Sequence, residues 1–362
     1  MVTAIISDLH LGMARGGDVA RGGEPRERLL EAVAGADRVV ILGDLLELRE
    51  GRLTEVLEVA RPLMEGLGHA TAGRLVTIVP GNHDHHLGEP WLTRMRSRGD
   101  ALGLEQEWSV GHGDGVGERL AAWMPDTEVT VAYPGLWLRP DVYVTHGHYL
   151  DVHLTVPRIE SIAASAMARV TGRRDTCESV ADYEAVLSPM YAFHFQLAQG
   201  LSRDRLTRGG RLSRDVWARA GDSTNGRVTG LLLGRVTIPG AVALLNAAGI
   251  GPFNATLTGE ELRRAGLRAF GEVASRLGIE ADHVVFGHTH RPGPLPGDDP
   301  GEWATPGGAR LWNAGNWFHE PVFLDPDRPG DSPYHPGAMV LVRDEGPPEV
   351  RRLLEGVALP AT

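Results

Sequence analysis

Leu75–Asp84 reads LVTIVPGNHD, and the fold turns on this stretch. Leu75 to Val79 is a β-rich apolar run that predicts a buried strand, and Pro80-Gly81 stops it. Asn82, His83 and Asp84 then place an amide oxygen, an imidazole and a carboxylate at the strand's end. The same unit recurs along the chain. Val2–Ile6 leads to Asp8-Leu9-His10, and Arg38–Leu42 leads to Gly43-Asp44. Residues 142 to 145 lead to His146-Gly147-His148, and Val284–Phe286 leads to Gly287-His288-Thr289-His290. Helical periodicity fills the gaps at Arg26–Ala34 and at Leu53–Leu67, with Pro62 as a local objection. Gly259–Leu277 also reads as a helix, with Thr258 as N-cap and Glu261 completing a capping box. This β-α-β order predicts an α/β sheet whose ligands gather beyond the strand carboxyl ends. Residues 128–133 add a strand, with turns at Pro134-Gly135 and Arg139-Pro140-Asp141. Ala338–Val342 and a short stretch at Val350–Leu354 are expected to close a second sheet.

Taken singly, most of these motifs have a plain structural reading. Asp8 and His10, two apart, can chelate one ion from one side of a strand, but also fit an Asx-type turn with a surface histidine. Asp44 alone would pass as a helix N-cap. Gly81-Asn82-His83-Asp84 is more specific, since an Asn carbonyl oxygen is a neutral ligand for a hard or borderline ion. There Asp84 is expected to hold the His83 ring, while His85 and His86 read as exposed polar residues. His112 and His146 compete for the fourth position. His146 is preferred because Asp141–Thr145 is the better strand.

In this order the five motifs resemble the calcineurin-like metallophosphoesterases, whose pattern is D-x-H, G-D, G-N-H-D/E, a lone H and G-H-x-H. The resemblance spans residues 8 to 290, and the T-H-G-H string at 145–148 is one that many members show. It implies a βαβ sandwich of two central mixed sheets flanked by helices. It also implies two divalent ions, manganese foremost, with iron, zinc, cobalt and nickel compatible with the oxygen and nitrogen ligands. One ion would take Asp8, His10, Asp44 and His290; the other Asp44, Asn82, His146 and His288. The implied reaction is hydrolysis of a phosphomonoester, phosphodiester or pyrophosphate by a metal-bridged hydroxide attacking in line, with His83 as general acid. His148 would contact the phosphate or stand behind a ligand. Residues 7–12 and 287–292 also resemble bacterial UDP-2,3-diacylglucosamine pyrophosphatases, which carry arginine where this chain has His83. What transfers from them is a helical cap over a dimetal site.

Residues 152–254 change in character: Ile159–Val170 and Tyr183–Leu201 look helical and no strand-motif unit recurs. The expected organisation is a core of residues 1–151 and 255–362 with a mainly helical insertion at 152–254. Six arginines between 203 and 219 suit an anionic substrate, nucleotide- or lipid-linked, or a peripheral membrane contact, though a solvated helix face explains them equally well. Leu231–Ile250 is too interrupted for a membrane span. All 36 basic residues are arginine, and the net charge of -11 over 362 residues argues against nucleic-acid binding and a nuclease. A lone Cys177 and the absence of a basic leader ahead of Val2 fit a cytoplasmic setting. A noncatalytic scaffold of the same fold would be marked by lost ligands, and all are kept.

Overall fold

The computed structural model describes residues 1–13, 16–111, 113–157, 159–172, 176–200, 245–248, 250, 251, 253, 259–319, 329–357 and 359. Among them, β1 (Val2–Ile6), β2 (Arg38–Leu42), β3 (Leu75–Val79) and the first part of β5 (Glu128–Arg139) run parallel. β6 (Val142–Thr145), β7 (His283–Phe286) and β8 (Arg310–Asn313) form a second parallel set. β4 (Glu105–Ser109) pairs antiparallel with β5; β9 (Ala338–Arg343) and β10 (Glu349–Arg352) extend antiparallel from the free edge of β1.

All ten strands are hydrogen-bonded into one sheet, and it folds over at β5. Residues 128–131 of β5 pair with β3, whereas residues 135–139 pair with β6. Between these halves Pro134 and Gly135 both stand opposite Glu105, which is a bulge. Pro134 contributes no N–H to the ladder, and a side chain at Gly135 would strike Tyr143 and the Val144 carbonyl. The expected turn at Pro134-Gly135 is therefore a corner inside one continuous strand, the kind of bulged bend by which strands change layers. Ile5, Val40, Leu42, Val142, Val144 and Val285 belong to an apolar cluster with no helical residue, so the folded sheet covers itself. The two expected sheets are thus two layers of one. The tail strands pair with β1, so they widen the first layer instead of closing the second.

Alternation sends Ile6, Val39 and Ile41 outward under α1 (Gly23–Ala34), α2 (Leu53–Ala70) and the short α4 (Val116–Ala122). Val56, Leu57, Ala60, Leu63, Met64 and Leu67 line the buried stripe of α2. Pro62 does not end this helix, because Pro62 and Glu58 both lie on the solvent face, where water can satisfy the carbonyl left without its N–H partner. The mostly exposed α3 (Glu89–Arg98) precedes β4. The second layer is covered by α5 (Ile159–Val170), α6 (Val180–Gly200) and α7 (Gly259–Arg276). The described part of the expected insertion, α5 and α6, shares this apolar cluster with α7 and β7. Thr258, the arginines between 203 and 219 and most of residues 231–250 lie outside the described residues. No helix among the described residues is long and apolar enough to cross a membrane.

Candidate metal centre

Folding the sheet brings the carboxyl ends of β1, β2 and β3 against those of β6 and β7. The two layers touch closely there. A side chain at Gly43 would collide with the His146 ring, and one at Gly287 with Ser7 and Asp8. Asp8 (φ 56), His10 (φ 46), Asp44 (φ 52), His288 (φ 65) and His290 (φ 64) are the non-glycine residues with positive φ among the described residues. All five are candidate ligands. Such a conformation costs of order 1–3 kcal/mol each and persists where the surroundings impose it, commonly at functional sites.

The side chains converge. His290 Nε2 lies 3.2 Å and His10 Nε2 3.8 Å from Asp8 Oδ1. Asp44 Oδ2 stands between the two groups, 3.7 Å from His10 Nε2 and 3.2 Å from His146 Nε2. Asn82 Oδ1 faces His288 Nδ1 at 3.0 Å and His146 Nε2 at 3.2 Å. Asp8 Oδ1 and His10 Nε2 are buried with no hydrogen-bond partner. As oriented, Asn82 Oδ1 meets only acceptors, and turning the amide would instead let its nitrogen donate to His288, His146 and Asp44. Lone pairs gathered this way repel unless a proton or a cation lies among them; the turned amide would also let its oxygen accept from Arg49 Nη1 at 3.2 Å. The donor set therefore fits divalent ions: three overlapping groups, Asp8-His10-His290, His10-Asp44-His83 and Asp44-His146-His288, with Asp44 in the last two.

Partners fix the orientation of each imidazole. Glu47 Oε2 accepts from His10 Nδ1 at 2.9 Å and from His83 Nδ1 at 2.7 Å. His146 Nδ1 donates to the Leu42 carbonyl at 2.9 Å, and His288 Nε2 to Asp151 Oδ1 at 3.1 Å. In His10, His146 and His288 this leaves the other ring nitrogen facing the centre, as supporting carboxylates and carbonyls do for metal-bound histidines. Glu47 and Asp151 are absent from the sequence-derived set. So is Arg49, whose Nη1 lies 3.1 Å from His83 Nε2 and whose Nη2 donates to Glu160 of α5 at 3.2 Å.

Three expectations change, those for Asp84, His85 and His86. Asp84 does not hold the His83 ring: its Oδ1 accepts from Gly81 N at 2.7 Å, and its Oδ2 from Leu45 N at 2.8 Å and Leu46 N at 3.2 Å. It braces the backbone beside Asp44, and Glu47 holds the ring. His148, 1 % exposed, stands behind His146 with Nε2 3.1 Å from the Tyr133 hydroxyl, the second of the two places expected for it. His85 is 4 % exposed and paired with Glu184 of α6 at 3.1 Å. His86 stacks on Phe195 of the same helix. His146 stands in the cluster, whereas His112 lies outside the described residues.

The charges of the site reinforce one another. Burial would raise Asp8 and Asp44, but the imidazoles of His10 and His290 around Asp8, and of His146 and His83 around Asp44, hold both carboxyls well below the usual range. Burial and the neighbouring Asp44 charge push Asp84 up to about 6. Burial, with Arg49 and His10 working against Glu47 and Asp44, lowers His83. That agrees with its geometry: an arginine only donates, so His83 Nε2 accepts and the ring is neutral, with its proton on Nδ1 toward Glu47.

Residues 1–176 match the calcineurin-like phosphoesterase family. No curated protein matches the chain. Among solved structures, a dimetal phosphatase from Danio rerio is similar at 11% identity and a TM-score of 0.33, covering 97% of this chain and 98% of that one. A cold-active protein-tyrosine phosphatase from a psychrophilic Shewanella species is similar at 13% identity and a TM-score of 0.28, covering 95% of this chain and 75% of that one. On the family match and the ligand motifs gathered where the layers meet, residues 1–176 form a calcineurin-like phosphoesterase region, and the G-H-x-H motif at 287–290 joins its cluster.

Proposed function

We propose that this protein is a two-metal hydrolase of phosphoric esters or anhydrides, with manganese the first ion to test. The observation that carries the reading is the convergence of the buried, unpaired Asp8 Oδ1 and His10 Nε2 with Asp44, Asn82 and the imidazoles of His146, His288 and His290. Asp8, His10, Asp44 and His290 would hold one ion, and Asp44, Asn82, His146 and His288 the other. Bound divalent ions supply Lewis-acid polarisation of a phosphoryl oxygen and a lowered pKa for water.

The chain's own groups do the rest. His83, 19% exposed, stands at the mouth of the site with Nδ1 fixed by Glu47. In the state described, Arg49 occupies its Nε2. An incoming phosphoryl anion draws the guanidinium to its oxygens, since arginine matches phosphate geometry in two hydrogen bonds. His83 Nε2 is then free to carry a proton to the leaving oxygen, and Glu47 stabilises the protonated ring. The described helices of the insertion stand beside this cleft, with Glu160 on Arg49 and Gln199 accepting from Leu53 N at 3.0 Å. A cap in that position excludes water and adds contacts to the remote part of a substrate.

The test is to strip the protein with chelator, reload it separately with Mn, Fe, Zn, Co and Ni, and assay a phosphomonoester, a phosphodiester and a pyrophosphate. Two bound equivalents and metal-restored hydrolysis of at least one substrate class are expected. Protein that binds no divalent ion at these residues, or hydrolyses none of the three with any metal, would end this reading.

A further inference from the structure

One face of α6 is turned to the metal centre. At its foot Glu184, 2 % exposed, accepts from Tyr149 Oη at 2.7 Å, from Tyr133 and from Ser188, and pairs with His85. Further along, Phe195 stacks on His86 with ring centroids 3.8 Å apart. These contacts fasten the helix to the loop that carries Asn82 and His83. Between the two fastenings lies Tyr191, 3 % exposed, its ring 5.1 Å from His85 and 5.6 Å from His148.

The Tyr191 hydroxyl has no hydrogen-bond partner. Buried phenols are almost always paired, so an unpaired one calls for a partner that is not part of the chain. Its ring packs on His148, whose own ring lies 5.5 Å from that of the candidate ligand His146, so the phenol sits one residue behind the metal centre. His194 follows one helical turn later, and its buried Nδ1 is also without a partner. Burial, then the charge of Arg49, pushes the His194 pKa down to about 4, so the ring is neutral near pH 7. Both unpaired polar atoms are carried by the stretch of α6 between Glu184, which pairs with His85, and Phe195, which stacks on His86.

We propose that α6 supplies a wall of the substrate site, in which the Tyr191 hydroxyl and the His194 imidazole donate hydrogen bonds to phosphoryl oxygens beside Arg49. The proposal rests on the phosphoesterase reading above and assigns substrate contacts to a helix outside the five ligand motifs. The competing explanation is local. Asp151 Oδ2 is also buried and unpaired, and a water joining it to Tyr191 would make the phenol a support for His288.

The experiment uses the full-length, Mn-loaded protein and three readouts: inorganic phosphate affinity by calorimetry, KM and kcat for 4-nitrophenyl phosphate, and bound manganese per chain. Tyr191→Phe is expected to weaken phosphate binding about tenfold, the low end for a hydrogen bond to a charged group. KM should rise more than kcat falls, with manganese content unchanged. His194→Ala, at a partly exposed position, should weaken phosphate binding severalfold and provides the second arm if the Tyr191 variant folds poorly. Unchanged phosphate affinity in both variants overturns the proposal. So does loss of manganese in Tyr191→Phe, which would assign the phenol to Asp151 and His288. Wild-type protein that neither binds phosphate nor cleaves any phosphoester would fell the functional reading itself. An active wild type matched by both variants fells only this assignment.

Discussion

The ligand loops and α6 border the same cleft but are built on different principles. Where the two layers meet, the backbone is forced: Asp8, His10, Asp44, His288 and His290 all hold left-handed conformations, and Gly43 and Gly287 are bare because ligand side chains or their neighbours fill the space. Position there is set by sheet geometry, and each ligand follows a strand by one to four residues. α6 carries no such strain among its described residues and is placed by side chains instead: Glu184 on His85, Tyr133 and Tyr149, and Phe195 on His86. The first arrangement suits ions that tolerate little misplacement. The second can change with the substrate while the metal centre stays as it is.

If that division holds, damage where the layers meet should cost metals and chemistry, and damage to α6 should cost substrate recognition and stability. The largest effect is expected at Asp44, the residue the proposed assignment gives to both ions and whose Oδ2 stands between His10 and His146. Asp44→Ala should lose both metal equivalents, measured by elemental analysis, and reduce turnover to background. Retention of one tightly held ion would show that Asp44 is not the bridge.

Next is His83, whose ring is held by Glu47 and Arg49 and whose backbone N–H donates to Asp44 Oδ1 at 2.8 Å. His83→Ala should keep both ions and lose on the order of 10²–10⁴-fold in kcat, the range for a general acid. The loss should shrink for esters of activated phenols, whose leaving groups need no proton. An equal loss for every ester would make His83 a phosphate-positioning group alongside Arg49.

Glu47 separates what the sequence disclosed from what it did not. Asp8, His10, Asp44, Asn82, His146, His288 and His290 were legible because metal-binding residue types at strand ends are informative when they recur in order. Glu47 shows in the sequence only as a carboxylate among Leu45, Leu46 and Leu48, and its meaning appears when His10 and His83 meet on one of its oxygens. Asp151 is hidden in the same way by the sequence distance to His288, as is His85 by its distance to Glu184. Punctuating residues misled for a related reason. Pro134-Gly135 marks a break in regular pairing, but whether the chain reverses or changes layer depends on what pairs on either side. Glu47→Gln should cost about 10–100-fold in metal affinity or turnover, the usual cost of removing a partner that orients a metal-bound histidine. Metal titration beside steady-state kinetics reads both. An effect confined to kcat would mean that Glu47 serves His83 alone.

The smallest effect on chemistry is expected from Glu184, and it tests the contrast between the two regions most directly. Its buried carboxylate collects Tyr133, Tyr149, Ser188 and His85, so glutamine there puts an amide N–H among groups that donate. Glu184→Gln should therefore destabilise the fold by about 1–3 kcal/mol, the cost of leaving buried polar groups poorly paired, read as a shift in the denaturation midpoint at constant m-value. Turnover of a small activated ester should fall less than about tenfold, below the range expected for Glu47→Gln. The reason is that Glu184 reaches the metal centre only indirectly, through His85 and through Tyr133 and His148, and touches none of the residues that hydrogen-bond the ligand imidazoles. Should Glu184→Gln cost as much turnover as Glu47→Gln with the fold intact, the distinction fails. α6 would then belong to the metal centre as fully as the loops that end the strands.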